Sequence, residues 1–131
     1  DACSIAEILT NLESPIYIQE LIQTNRDIRT FVVGDEVISA IYRVAKKSWK
    51  TNISLGGQAE SCPLNNELIE LSLKAARAVG AEIAGIDLIN SSEGYKILEV
   101  NTSPGFKGII EATKVNPADA IVQYAISKAK K

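Results

Sequence analysis

The stretch between Ala84 and Gly105 constrains the fold more than any other part of the chain. Two segments in which apolar residues recur lie on either side of Ser92-Glu93-Gly94, where a glycine supplies the positive φ that a short turn needs. This pattern predicts a β-hairpin with a three-residue loop centred on residue 93. In that register Asp87 lies directly opposite Glu99 on the neighbouring strand.

Oxygen-bearing side chains then converge on one face of this hairpin. Asn101 lies opposite Gly85 in the same register, and it shares a face with Glu99 because alternate residues of a strand point the same way. Opposed carboxylates repel, so we expect a positive group between Asp87 and Glu99. Oxygen-only ligands suit a hard cation such as Mg²⁺ or Mn²⁺. An exposed polar face is the alternative, and a shift of one residue would move Asp87 to the other face.

Composition restricts the classes of function. The chain has 131 residues, enough for one domain, and 46% of them are apolar, enough for a core. A net charge of −2 gives no electrostatic footprint for nucleic acid, and the sequence shows no apolar run of membrane-spanning length and no secretory signal. Cys3 and Cys62 fit no metal spacing and indicate cytoplasmic thiols, with a disulfide as the alternative. The absence of histidine excludes His-dependent catalytic triads.

Hydrophobic periodicity and turn residues predict the remaining elements. The predicted order is a helix capped at Ser4, a buried strand over 16–22, strands 28–33 and 37–43 around the turn Gly34-Asp35, a loop over 45–60, a helix from Asn65 to about Val79, the 84–101 hairpin, a short helix near 109–113 and a last helix starting at Asn116-Pro117. The residues predicted to face the core are Leu68, Leu71, Ala75, Ala76 and Val79 in the 65–79 helix, and Ala118, Ile121, Val122, Ala125 and Ala129 in the last. We therefore predict an α+β domain, a mainly antiparallel sheet with helices on one face.

Three other groups of residues could carry chemistry. Asp27, Arg29 and Arg43 lie on the first predicted hairpin, where an arginine can clamp a phosphate or carboxylate; a surface charge pair is the alternative. The basic segment 46–52 offers hydroxyl, amide and backbone donors that could fold over phosphates, or it is a solvated turn. The segment 102–108 could hold an anionic substrate, or simply connect a strand to a helix. The sequence contains no P-loop or Rossmann glycine pattern.

Taken in this order, these pieces resemble the C-terminal half of an ATP-grasp ligase, and in particular the RimK-like group, which adds amino acids to carboxylates. The resemblance covers nearly the whole chain, and its most specific part is the Glu-Val-Asn-Thr-Ser-Pro-Gly sequence at residues 99–105. The other segments that carry it are 17–22, 27–36, 40–43, 50–52, 56–57 and 84–87.

The resemblance implies a nucleotide site. Glu20 and Leu21 resemble the hinge whose backbone holds adenine, and Asp27 resembles the acidic residue near the ribose. The remaining implied contact is the loop that closes on the nucleotide, formed by Lys50, Thr51 and Asn52.

The resemblance also implies a metal site and charge stabilisation. Asp87, Glu99 and Asn101 resemble the ligands of two Mg²⁺ or Mn²⁺ ions that bridge the phosphates of ATP. Arg43 and Arg29 resemble the arginines near the transferred phosphoryl group. In the implied reaction a carboxylate takes the γ-phosphoryl group, an amine attacks the acyl phosphate, and phosphate leaves as the amide forms.

The implied partners are a carboxylate-bearing acceptor and an amino acid such as glutamate. RimK-like relatives modify ribosomal-protein tails, amino-group carrier proteins or cofactors such as tetrahydromethanopterin, and we expect a cytoplasmic homo-oligomer when full length. An ATP-grasp enzyme places ATP between two α+β halves, so residues 1–131 are expected to be the C-terminal subdomain alone, a fragment with weak nucleotide binding and no turnover. A non-catalytic nucleotide- or metal-binding module is the alternative, and a structural domain is the third.

Overall fold

The computed structural model describes residues 2–13, 15–44 and 58–130. Within them the chain forms a single five-stranded sheet whose neighbouring strands are all antiparallel, in the order β3-β2-β1-β4-β5. The elements are α1 (Ala2–Asn11), β1 (Arg26–Val33), β2 (Glu36–Val44), β3 (Gln58–Ser61), α2 (Asn66–Ala78), β4 (Ile83–Ser91), β5 (Gly94–Asn101), α3 (Lys107–Thr113) and α4 (Pro117–Ala129). None of the four helices described has the length and apolar character that crossing a membrane requires.

The β1–β2 hairpin forms as predicted. Val33 pairs with Glu36, which leaves Gly34-Asp35 as a two-residue loop. Gly34 has a φ of 60°, the left-handed conformation that a glycine adopts at little cost at the first position of such a turn.

Helices cover both faces of the sheet, so the α+β prediction is confirmed but the placement of helices on one face is wrong. Thr30 of β1 contacts Ser72 of α2, whereas its neighbour Phe31 points the other way and packs edge-on against Phe106, with the ring centroids 5.9 Å apart. The two hydrophobic clusters divide accordingly, with α2 against one face and α3 and α4 against the other. The physical reason is visible in β1, which is buried almost continuously and ends in three successive apolar residues, Phe31, Val32 and Val33. Successive residues of a strand point to opposite faces, so this end of β1 needs cover on both faces.

Helix α2 packs through Leu68, Ala75 and Ala76, as predicted. Its buried face also includes Ser72, which was not predicted. Val79, predicted to be buried, is 58% exposed because it lies beyond the helix end, at the C-cap. The helix begins at the predicted cap, where the Leu68 N–H donates to Asn65 Oδ1. The predicted stop, Gly80, follows with a φ of 68°.

Ser72 is fully buried and provides a hydrogen-bond acceptor for Thr30, a buried polar residue of β1. Its hydroxyl accepts from Thr30 Oγ1 at 2.8 Å and donates to the Leu68 carbonyl at 2.7 Å. We expect Ser72→Ala to lower the free energy of unfolding by about 1–3 kcal/mol, because it strands the buried Thr30 hydroxyl. The double variant Ser72→Ala/Thr30→Val removes both partners and should recover most of the loss, which urea denaturation of the parent and the two variants will measure. A double variant as unstable as Ser72→Ala would contradict this reason.

Helix α4 starts at the predicted Asn116-Pro117 but turns a different side to the sheet. Ala120, Ile121 and Tyr124 pack there, and the Tyr124 ring fills the space that a side chain at Gly34 would occupy. Of the other residues predicted to face inward, Ala118 is half-buried, and three are exposed: Val122, Ala125 and Ala129.

An exposed ion pair fastens α4 to the start of β4. Glu82 accepts from Lys128 Nζ at 2.6 Å and from the Tyr124 hydroxyl at 3.0 Å. The hydrogen bond from Lys128, and then that from Tyr124, lowers the pKa of the Glu82 carboxyl below its ordinary 4.5, and the same contact with Glu82 raises the pKa of Lys128.

This pair should make a small, pH-dependent contribution to stability. A carboxyl whose pKa is lowered by folding stabilises the fold above its unfolded pKa, and the contribution is lost as the pH falls through the folded pKa. We therefore expect the melting temperature to fall less steeply below pH 4.5 in Glu82→Gln than in the parent chain. Thermal unfolding followed by circular dichroism between pH 7 and 3 tests this, and parallel curves would contradict it.

Three further local predictions are wrong. Residues 16–22 form no strand, and Tyr17 and Ile18 are 86% and 79% exposed, because no described strand pairs with them. Ser4 lies inside α1, which begins at Ala2, so it is not the helix cap. The predicted loop over 45–60 falls on undescribed residues up to 57, but Gln58–Ser61 forms β3 and pairs with β2.

Candidate functional site

Four charged side chains form one buried network on the sheet face that α3 and α4 leave open at one end. Asp27 lies opposite Arg43 across β1 and β2, and Arg29 lies opposite Asp87 across β1 and β4. Arg43 donates from Nε and Nη2 to the two oxygens of Asp27 at 2.7 and 2.6 Å, and from Nη2 to Asp87 Oδ2 at 2.9 Å. Arg29 donates from Nε and Nη2 to the two oxygens of Asp87 at 2.7 and 2.8 Å.

The network is electrically balanced and largely shielded from water. The side chains of Asp27, Arg43 and Asp87 are 8%, 6% and 7% exposed, and that of Arg29 is 17% exposed. Burial alone would lower the pKa of the Arg43 guanidinium, but the hydrogen bonds and charges of Asp27 and Asp87 outweigh it and raise that pKa. Arg43 therefore remains charged, and it links the two aspartates.

The predicted register of the β4–β5 hairpin is confirmed at the candidate metal ligands, although the predicted loop length is wrong. Asp87 pairs with Glu99 and Gly85 with Asn101, as predicted. The loop, however, has two residues rather than three, since Ser91 pairs with Gly94. A shift between Asp87 and Leu88 compensates for the missing loop residue.

The extra residue of this β-bulge is Leu98, because Leu88 pairs with Ile97 while Asp87 pairs with Glu99. As a result two successive residues, Leu98 and Glu99, line the same cavity. Strict alternation would have placed them on opposite faces. The sequence carried no signal for the bulge, so Leu98 was not predicted as a site residue.

The cavity has a volume of about 780 Å³ and lies between the network and the segment that precedes β1. Its size is within the ordinary range for a small-molecule site. Apolar and charged groups both line it, which suits a ligand with a flat apolar part and an anionic part. Six of the predicted site residues line it: Glu20, Leu21, Asp27, Arg43, Asp87 and Glu99.

The other predicted residues are placed differently. Arg29 reaches the cavity only through Asp87. Asn101 accepts the Ser103 N–H at 2.8 Å through Oδ1 and thereby orders the start of the segment 102–108. The predicted nucleotide-closing residues Lys50, Thr51 and Asn52 lie outside the described residues.

The donor set at the hairpin fits a hard divalent cation in its chemistry. Asp87 and Glu99 are opposed carboxylates on one cavity, and Asn101 adds an amide oxygen on the same strand as Glu99. In the described part of the chain, no three His, Cys, Asp or Glu side chains cluster around a possible metal position. Two carboxylates and an amide are a sparse set, which suits a cation that keeps water and takes further oxygens from a ligand. The opposed carboxylates predict a positive group between Asp87 and Glu99, and in this structure Arg29 and Arg43 supply positive charge to Asp87.

This sheet with its open cavity defines the class of protein. The fold matches that of the ATP-grasp ligase PsnB, with a TM-score of 0.68 and 19% identity over 98% of this chain and 51% of that chain in its complex with a phosphomimetic variant of its minimal precursor, Mg and ADP. Its complex with the minimal precursor, Mg and ADP matches with a TM-score of 0.62 and 29% identity over 81% of this chain and 34% of that chain. The domain is therefore an ATP-grasp fold.

The sequence places the chain within that class. The family model described as the RimK-like ATP-grasp domain matches residues 1–125, and the chain belongs to this family. The tetrahydromethanopterin:alpha-L-glutamate ligase of Methanocaldococcus jannaschii is 45% identical over 118 residues, which cover 87% of this chain and 40% of the relative. A probable alpha-L-glutamate ligase of Legionella pneumophila is 39% identical over 132 residues, covering 98% and 44%. The chain thus spans less than half the length of the curated relatives it matches.

Proposed function

We propose that this chain supplies the cation- and phosphate-facing part of an ATP-dependent carboxylate–amine ligase that adds L-glutamate to an acceptor carboxylate. The observation that carries the proposal is that Asp87, Glu99 and Arg43 all line one cavity. Membership of the RimK-like ATP-grasp family supports ATP as the nucleotide. Both relatives named above carry alpha-L-glutamate in their names, which supports glutamate as the amino acid.

The residues of this chain would act by positioning and by charge. Leu21 and Leu98 give the cavity apolar surface for a flat base, while Asp87, Glu99 and Asn101 would hold the divalent cations. Such cations, when bound, neutralise charge on the phosphates during phosphoryl transfer. Arg43, fixed by Asp27, presents a rigid guanidinium to the negative charge of the acyl phosphate. Phosphoryl transfer to an ionised carboxylate needs no proton transfer, so charge and position are what these residues would contribute to that step.

Nucleotide turnover with defined acceptors tests this proposal. ADP release by the intact protein that contains this chain is measured with Mg²⁺, ATP and L-glutamate, while tetrahydromethanopterin, a ribosomal-protein tail peptide and an amino-group carrier peptide are offered in turn. We expect one acceptor to stimulate ADP release and to gain the mass of one glutamate residue. Glu99→Gln should reduce this stimulated rate by about 10²-fold or more, the usual cost of losing a charge-stabilising group. Glu60→Gln, on the exposed edge strand β3, is the matched control and should leave the rate unchanged.

Two outcomes would favour other functions. Tight nucleotide and cation binding with no acceptor-stimulated ADP release would favour a non-catalytic binding module. Transfer of another amino acid in preference to glutamate would keep the ligase and overturn its proposed amino acid. Residues 1–131 by themselves are expected to release no ADP, and sustained turnover by them alone would overturn the proposal that they are one part of the ATP site.

A further inference from the structure

The single carboxylate of Asp87 is hydrogen-bonded by two arginines. Three guanidinium N–H groups, two from Arg29 and one from Arg43, reach its two oxygens within 2.9 Å. A divalent cation that approached Asp87 in this state would meet two fixed positive charges at hydrogen-bonding distance. The same carboxylate cannot serve the arginines fully and a cation fully, because its lone pairs are already directed at the N–H groups.

The two arginines differ in how firmly they are held. Arg43 is tied by two hydrogen bonds to Asp27, which anchor it whether or not Asp87 is available. Arg29 makes both of its described hydrogen bonds to Asp87 and is nearly three times as exposed, 17% against 6%. Arg29 is therefore the partner that can leave.

The Arg29 side chain lies at the edge of the network, against a glycine of β4 and partly open to solvent. Its side chain lies over Gly85, where a Cβ would come within 3.6 Å of Arg29 Nε and 2.9 Å of Pro104 Cβ. The glycine thus lets the Arg29 side chain lie close against β4, beside Pro104. Because this side chain is 17% exposed, its guanidinium also has access to solvent from this position.

We propose that Arg29 is a resident counter-ion of Asp87, exchanged for the cation when cation and polyphosphate arrive together. The cation then takes the Asp87 carboxylate, and the released Arg29 guanidinium pairs with the phosphates. Arg29 is on this view a positioning residue that couples the binding of the two ligands, so that each strengthens the other to the same extent. The inference rests on the proposed function, because it assumes that the cavity takes a cation and a nucleotide.

Opposite changes in two affinities are the signature of this exchange. In Arg29→Gln, we expect Mn²⁺ alone to bind at least about fivefold more tightly than to the parent, because its competitor at Asp87 is gone. We expect Mn²⁺–ADP to bind at least about fivefold more weakly, because the phosphates lose a partner. Electron paramagnetic resonance of free Mn²⁺ measures the first affinity, and isothermal titration calorimetry with the preformed Mn²⁺–ADP complex measures the second, both on the intact protein that contains this chain.

Three further variants separate the exchange from a structural role. Arg77→Gln removes the same charge from the exposed Arg77–Asp35 pair and should change neither affinity. Arg29→Lys retains the charge and should keep Mn²⁺ alone near the weak parent affinity, which guards against poor folding of the glutamine variant. Asp87→Asn should weaken both affinities.

Failure of the exchange is distinguishable from failure of the proposed function. If the parent binds Mn²⁺–ADP and Arg29→Gln leaves the affinity for Mn²⁺ alone unchanged or weaker, the exchange is overturned and the ligase proposal stands. If neither the parent nor any variant binds Mn²⁺ or Mn²⁺–ADP, both are overturned for this chain.

Discussion

Asp87→Ala is expected to lower the free energy of unfolding by about 3–5 kcal/mol, the usual cost of removing one partner from a buried ion pair. The substitution leaves Arg29 without either of its described hydrogen bonds and Arg43 without one of three. Both guanidinium groups are largely buried and permanently charged, so neither can escape the loss by neutralising. Stabilities of whole domains are about 5–15 kcal/mol, so this loss is a large fraction of the total.

Urea denaturation of matched variants measures this effect. Asp35→Ala removes an aspartate that also pairs with an arginine, but its side chain is 86% exposed and the change should stay within about 0.5 kcal/mol of the parent. Asp87→Asn keeps an acceptor oxygen, so it should fold better than Asp87→Ala while still losing cation binding. A loss below about 1 kcal/mol for Asp87→Ala would show that the network is open to water, as surface pairs are.

Arg43→Ala is the second substitution with a large expected effect, again about 3–5 kcal/mol of unfolding free energy. It removes the group that joins the two aspartates and leaves the carboxylate of Asp27 buried at 8% exposure. Arg26→Ala is the matched control on the adjacent strand. Arg26 is exposed and lies over the Tyr42 ring, 4.1 Å from its centroid, a contact worth about 0.5–1 kcal/mol at such a site.

A charge-free replacement separates stability from function at the same position. The double variant Asp27→Leu/Arg43→Met removes one aspartate and one arginine, which leaves Arg29 and Asp87 as a balanced pair. Apolar replacement of a buried pair is often neutral or stabilising, so this variant should recover much of the stability lost in Arg43→Ala. It should not recover ligase activity, because the arginine proposed to face the acyl phosphate is gone. Equal instability of the single and double variants would contradict the assignment of the loss to the charge imbalance that Arg43→Ala creates.

The family and much of the site could be predicted because they depend on local patterns. The turn residues at Gly34-Asp35 and the alternation in β4 and β5 fix the pairings of both hairpins, and these pairings bring Asp87 opposite Glu99. The register survived a wrong loop length only because a bulge at Leu98 compensated for it. Loop length and bulges are set by how the strand packs, which a single sequence does not record.

Residues 16–22 show the opposite case. Their apolar, β-rich composition predicts a buried strand, yet a strand needs a neighbour to pair with, and none of the described strands pairs with them. Their exposed side chains, such as Tyr17 and Ile18, are therefore a property of the tertiary context and not of local preference.

By itself the sequence determined the two hairpins and the helix caps at Asn65 and Asn116, since each depends on residues close in the chain. The pairing of Asp87 with Glu99 was predicted correctly, but it depends on the bulge at Leu98, which the packed sheet decided. Only the tertiary structure decided that helices cover both faces of the sheet and that two arginines hold Asp87. Arg29 and Asp87 are 58 residues apart and meet because β1 lies between β2 and β4. The order of the strands depends on pairings between segments far apart in the sequence. That order places β1 between β2 and β4, and so brings the four charged side chains together in one buried network.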